Sequence, residues 1–185
     1  GWLPENWAQF AELGWLGMAF SEEDGGYGGG PIETMIVMEQ FGKGLVLEPF
    51  LPTVVLGGGM IARAGSADQK AALLAPMIEG KKQFAFAWLE RQSRYNLADV
   101  SLKATKEGSG WSLSGHKGVV YNAASADEII VLARTAGSAR EPKGLTLFET
   151  PGHTIGHYSL LAEPENRRPM IFCGDAVYTQ ETLDR

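Results

Sequence analysis

The run Phe84-Ala85-Phe86-Ala87-Trp88-Leu89 decides the fold. It is unbroken apolar sequence of strand length, and it marks the point where a helical repeat gives way to short alternating segments. Upstream of it the spacing is helical. Pro4 suits a first helical turn, Trp7, Phe10 and Leu13 recur on one face, and Gly14 can supply a left-handed stop, which predicts a helix over about Glu5 to Leu13. Ser21 to Pro31 carries five glycines and predicts a loop. Pro31 opens a second helix in which Ile32, Met35, Ile36, Val37, Met38 and Phe41 surround most of the circumference, the pattern of a central helix ending near Gly42-Lys43-Gly44. A third follows Pro52, through Val54 to Ala64. Its consecutive glycines, Gly57 to Gly59, each cost about 1 kcal/mol relative to alanine in a helix, so close packing is expected there. Ser66 caps a fourth through Ala67, Ala71, Leu74 and Ile78, with Pro76 kinking it or marking its late end.

Downstream of the deciding run the segments are strand-like. Ser101 to Lys106 alternates before the turn Gly108-Ser109-Gly110, Trp111 and Leu113 alternate with Ser112 and Ser114, and Val119 to Tyr121, Ile129 to Ala133 and Leu145 to Phe148 follow. Helices first and strands second predict an α+β chain. Its expected parts are an N-terminal helical domain (1–82), a small antiparallel β-domain read as a meander (83–149), and a short tail (150–185).

Composition sets outer bounds. The 185 residues are 44% hydrophobic and 21% charged, the balance of a globular chain with a core rather than a disordered one. No apolar run approaches the length of about 18 residues that a membrane span needs. The start Gly1-Trp2-Leu3-Pro4 lacks the basic patch and small-residue cleavage site of a signal peptide, so secretion is not expected. A formal charge of -6 disfavours nucleic acid as a partner, because phosphate binding needs concentrated Lys and Arg. The single cysteine, Cys173, excludes an internal disulfide and fits a reducing compartment, so the cytoplasm is the expected location.

Four strings in order carry a family resemblance. They are Ser21-Glu22-Glu23-Asp24-Gly25-Gly26, then Phe86-Ala87-Trp88-Leu89-Glu90, then Leu113-Ser114-Gly115-His116-Lys117 with Val119-Val120-Tyr121-Asn122, and finally Ala126-Asp127 with Ile130-Val131-Leu132-Ala133-Arg134-Thr135. Together they resemble the acyl-CoA dehydrogenase family over roughly Gly1 to Glu149. The resemblance implies FAD as cofactor and α,β-dehydrogenation of an acyl thioester such as an acyl-CoA. In that chemistry a carboxylate takes the α-proton while the β-hydrogen leaves as hydride to a flavin nitrogen. It also implies that Phe86, Trp88 and Leu89 line the pyrimidine side of the flavin and that Val119, Val120 and Tyr121 flank the rest of the isoalloxazine. A homo- or hetero-oligomer is implied as well.

The sequence departs from the family pattern at several of these places. Leu89 stands where the family usually has a threonine hydroxyl, Val119 where it has a tryptophan, and Arg91, Tyr95 and Asn96 where it has Pro and Gly-Ser-Asp. The family's catalytic carboxylate lies on a C-terminal helical domain, and no such helical sequence follows Glu149, so no catalytic residue is assigned. Other readings of single features are structural. The glycines of Gly25 to Pro31 lack the Gly-Lys-Ser/Thr ending of a phosphate loop. Phe86 and Trp88 also suit a strand core, His116 a solvated strand position, and Glu90 a structural carboxylate at a strand end.

From Thr150 the text changes again. Thr150-Pro151-Gly152-His153, His157, and Phe172-Cys173-Gly174-Asp175 resemble the later metal motifs of metallo-β-lactamase-fold hydrolases, which implies His153 and Asp175 as zinc ligands. A catalytic zinc needs about three protein ligands plus water. The chain has three histidines and no His-x-His-x-Asp-His string, so the tail is expected to be incomplete as a zinc site. A zinc hydrolase and a non-catalytic scaffold subunit are the alternatives to the dehydrogenase reading.

Overall fold

The computed structural model describes residues 1–108 and 110–151. Two compact units are present, Gly1–Gln83 and a second that starts at Phe84.

The first unit is helical. Helix α1 (Pro4–Glu12) begins on Pro4, buries Trp7 and Phe10, and is followed by Gly14 at φ 75°, a left-handed conformation that costs glycine nothing. Helix α2 (Pro31–Gly44) starts where the Gly30 N–H donates to Glu33 Oε2 at 2.7 Å. Its Val37 and Phe41 are buried, but Ile32, Met35 and Ile36 are exposed, so within this unit α2 is covered on one side rather than all round. A wide helical stretch, Leu51–Gly58, runs into α3 (Gly59–Ala64). A Cβ at Gly58 would lie 2.8 Å from the Phe20 ring and 3.1 Å from Met77 Cε, so the close packing expected here is seen at Gly58, through side chains rather than a second backbone. Helix α4 (Ala67–Ile78) is capped reciprocally. Ser66 Oγ accepts from the Gln69 N–H at 3.2 Å, and Gln69 Oε1 accepts from the Ser66 N–H at 2.9 Å. Pro76 sits in its last turn. The core between these helices is aromatic, with Phe10 stacked on Phe41 at 4.9 Å and Phe50 edge-on to Phe41 at 5.1 Å.

The second unit holds one sheet of β1 (Phe84–Ala87), β2 (Lys103–Glu107), β3 (Gly110–Ser114), β4 (Glu128–Arg134) and β5 (Leu145–Pro151). The α+β class stands, but the sheet is mixed rather than an antiparallel meander. β1 runs parallel to β4 with Phe84 opposite Glu128, and β2 touches β4 in parallel at Lys103 and Arg134. β2 and β3 form an antiparallel hairpin, and β5 lies antiparallel along β4. The physical reason is the position of β4. Its Ile129, Ile130, Val131 and Ala133 are all buried, so this apolar strand takes neighbours on both edges, and β1 reaches it by a crossover that contains the hairpin. Leu102, Leu113, Val120, Ala123, Ile129 and Val131 belong to the core of this unit.

Candidate functional site

The site grows out of the end of β1. Side chains two apart on a strand share a face, and Phe86 and Trp88 stack at 5.2 Å between ring centroids, with an angle of 23° between planes. Tyr121 approaches Trp88 at 6.4 Å. Phe86 is buried, Trp88 is partly covered and Tyr121 is 51% exposed, so the group forms a shelf whose outer part faces solvent.

Val119 and Val120 are irregular backbone leading into a turn that starts at Tyr121, not the strand expected from these β-branched and aromatic residues. Val119 has φ 52° and Asn122 φ 64°. Asparagine tolerates the left-handed region; a β-branched valine there is strained, at a cost on the order of 1–2 kcal/mol. The turn is held where the Gly118 N–H donates to the Leu89 carbonyl at 2.8 Å and Asn122 Nδ2 donates to the Phe84 carbonyl at 3.4 Å. Of the six residues expected to face a flavin, Phe86, Trp88 and Tyr121 form the aromatic group. Leu89 and Val119 line one cleft, and Val120 turns into the core. His116 is exposed, just beyond the end of β3.

That cleft is open, encloses about 1040 Å³, and is bounded by residues 89–95, 101–102 and 115–119, except Ser93. Its floor is an ion pair that the sequence did not announce. Lys117 Nζ lies 2.7 Å from Glu90 Oε1, and both side chains are buried. Lys117 Nζ also donates to the Trp88 carbonyl at 3.3 Å. Glu90 accepts three further hydrogen bonds, from the N–H groups of Leu102 at 3.0 Å and Ser101 at 2.8 Å and from Gln92 Nε2 at 2.6 Å. Burial alone would raise the Glu90 carboxyl. The bonds from Lys117, Gln92, Leu102 and Ser101 outweigh it and hold the group below its ordinary value. Burial also pulls the Lys117 ammonium down, against the opposing bond and charge of Glu90. Glu90 is the one carboxylate of the cleft lining, and four donors occupy it, which removes it from service as a base.

A second buried cation lies in the same unit. Arg134, at the end of β4, donates to six carbonyls: Val100, Ala136, Lys143, Ala98, Ala139 and Glu141, at 2.9–3.2 Å. It ties the segment before β2 to the loop after β4. What the arrangement can do chemically is bind, with an aromatic shelf for a planar ring and a polar-floored cleft beside it. An isoalloxazine fits the shelf by stacking, and β1 pairs with β4 alone among the described residues, which leaves its other edge without a strand partner.

Comparison with known proteins decides what this scaffold is. The description "Acyl-CoA dehydrogenase, N-terminal domain" matches residues 2–81. Residues 2–81 are thus similar to the N-terminal domain of acyl-CoA dehydrogenases. The likeness runs past that domain. The acyl-CoA dehydrogenase FadE12 of Mycobacterium tuberculosis is 30% identical over 97% of this chain and 47% of its own length. Human mitochondrial short-chain specific acyl-CoA dehydrogenase is 34% identical over 78% of this chain and 36% of its own. The structure of butyryl-CoA dehydrogenase from Megasphaera elsdenii superposes with a TM-score of 0.71 at 27% identity, over 96% of this chain and 49% of that one. The chain thus spans about half the length of the acyl-CoA dehydrogenases to which it is similar.

The remaining sequence expectations fall elsewhere. His153 and Asp175, with His157 and the hydrolase-like string, lie outside the described residues. Among the described residues no three His, Cys, Asp or Glu side chains gather as a metal site would require, and no helix is long and apolar enough to cross a membrane.

Proposed function

We propose that this chain supplies the flavin-facing shelf of an FAD-dependent acyl-CoA dehydrogenase, acting in α,β-dehydrogenation of an acyl thioester. The observation that carries this reading is the Phe86–Trp88–Tyr121 group at the open end of β1, flanked by the strained turn at Val119. FAD, when bound, accepts the hydride. The residues of this chain do the holding. Trp88 and Tyr121 offer aromatic faces, Leu89 and Val119 exclude water beside them, and Lys117 fixes the Trp88 carbonyl from below. Strain at Val119 belongs with this role, since strained backbone gathers where a ligand must be met in one geometry. The helical unit and the sheet unit correspond in this reading to the first two domains of such enzymes. A cytoplasmic oligomer is its setting, and the proton-abstracting carboxylate comes from outside the described residues.

The test is the visible absorption spectrum of the chain purified with added FAD. A shifted flavin band that survives desalting is expected, together with its loss in Trp88→Gly at unchanged far-ultraviolet dichroism. A colourless protein of intact fold would overturn the reading.

A further inference from the structure

The outer rings of the shelf stand on backbone that lies in no strand. β1 ends at Ala87, one residue before Trp88, and Tyr121 belongs to a turn. Their spacing is set instead by ties between the two segments. Lys117 and Gly118 follow one another in the chain and reach two carbonyls that do the same. Lys117 Nζ donates to the Trp88 carbonyl at 3.3 Å, and the Gly118 N–H donates to the Leu89 carbonyl at 2.8 Å. Beyond Tyr121, Asn122 Nδ2 donates to the Phe84 carbonyl at 3.4 Å, so both ends of the segment are fastened to β1 or its continuation. Between these ties Val120 is buried and Val119 is held at φ 52°.

Lys117 is itself aimed. Glu90 Oε1 accepts from its ammonium at 2.7 Å, and the same carboxylate is fixed by the N–H groups of Ser101 and Leu102, the two residues that precede β2. A continuous line of bonds therefore runs from the root of β2 through Glu90 and Lys117 to the Trp88 carbonyl. Bonds to ionised groups are about twice as strong as neutral ones, and these are buried. A buried ion pair adds little net stability over an apolar pair of the same volume, so what this one adds is direction. We infer that Lys117, aimed by Glu90, is a positioning residue of the shelf, fixing Trp88 and Tyr121 at one spacing before a planar ring arrives. The inference rests on the flavin reading above and adds to it the residues that set the geometry of the aromatic group. A surface fixed in advance loses less freedom on binding, so affinity for the ring is the quantity that the pair controls.

The deciding variant is Glu90→Gln/Lys117→Met in the full chain. Lys117→Met alone strands a buried carboxylate and endangers the fold, whereas the pair of changes removes both charges and keeps an amide oxygen for the Ser101 and Leu102 N–H groups. Nuclear magnetic resonance without ligand reads the Trp88–Tyr121 ring cross-peak and the hydrogen exchange of the Gly118 amide, and titration calorimetry then reads FAD binding. The double variant is expected to keep its urea transition, to lose the cross-peak, to exchange the Gly118 amide at least about tenfold faster and to bind FAD at least about tenfold more weakly, the scale of one charge-assisted bond. Lys117→Arg, whose guanidinium can still bridge the carboxylate and the carbonyl, should restore part of each signal. Rings and amide unchanged in the double variant, or rings released with FAD affinity unchanged, would overturn the positioning role. So would a double variant that unfolds, or Lys117→Arg behaving no better than the double variant. A native chain that binds no FAD while the ligand-free signals respond as expected would remove the flavin reading and leave the aim of Lys117 standing.

Discussion

In the helical unit Phe10, Trp15, Phe41 and Phe50 meet ring to ring at 4.9–5.8 Å, and no ion pair there is as deeply buried as the one under the cleft. In the sheet unit Glu90, Lys117 and Arg134 are instead each buried and each held by directed bonds. Apolar contact is non-directional and tolerates substitution of similar shape, whereas a buried charge accepts one partner geometry and is costly when that geometry fails. The unit that carries the proposed flavin-facing shelf uses the second kind of interaction around its cleft.

Lys117→Met should break this contrast most severely. It leaves the Glu90 carboxylate buried without its cation, and a loss of about 4 kcal/mol is expected in urea unfolding, as for other buried pairs that lose one member. The same variant has a pH signature. In the native chain the Glu90 carboxyl is held below its ordinary value, so its stabilisation is complete above about pH 4.3 and is lost as pH falls through the lower folded value. Without Lys117, burial dominates and the carboxyl rises, so acid unfolding should begin at higher pH than in the native chain. An unchanged acid midpoint would show that the pair is not coupled to folding.

Arg134→Lys keeps the charge but not the fork. Several of the six carbonyls lose their donor, and a loss of about 2 kcal/mol is expected by the same measurement. Phe41→Leu, the corresponding mild change in the helical unit, should cost about 1–2 kcal/mol, because neighbouring rings can close on a smaller apolar group. If it cost more than Arg134→Lys, the contrast between the two units would be wrong. Ser66→Ala is the smallest change, about 1 kcal/mol for a lost helix cap, read as a shift in thermal midpoint.

The helices were legible because their signals are local. Pro31, Gly14 and Ser66 each act within one turn of chain. β1 and β4 were legible as apolar runs. Their pairing was not, since direction and partner depend on contacts across the whole hairpin between them, and the alternation that marks a strand says nothing of its neighbour. Val119 to Tyr121 shows local preference overruled by tertiary ties, at Gly118 to Leu89 and at Asn122 to Phe84. Glu90 and Lys117 carried a faint signal, each a charge beside apolar sequence. Arg134 carried less, because the carbonyls that receive it leave no mark in the residue names.

The parallel seam between β1 and β4 also sets an order of events. As the chain leaves the ribosome, the segment bearing Phe86 and Trp88 is made long before Glu128 to Val131, the stretch it pairs with. The hairpin of β2 and β3 can close early, since its ends are near in sequence. The apolar segment of β1 has to wait until its neighbour arrives, and in that interval it is open to capture by a chaperone.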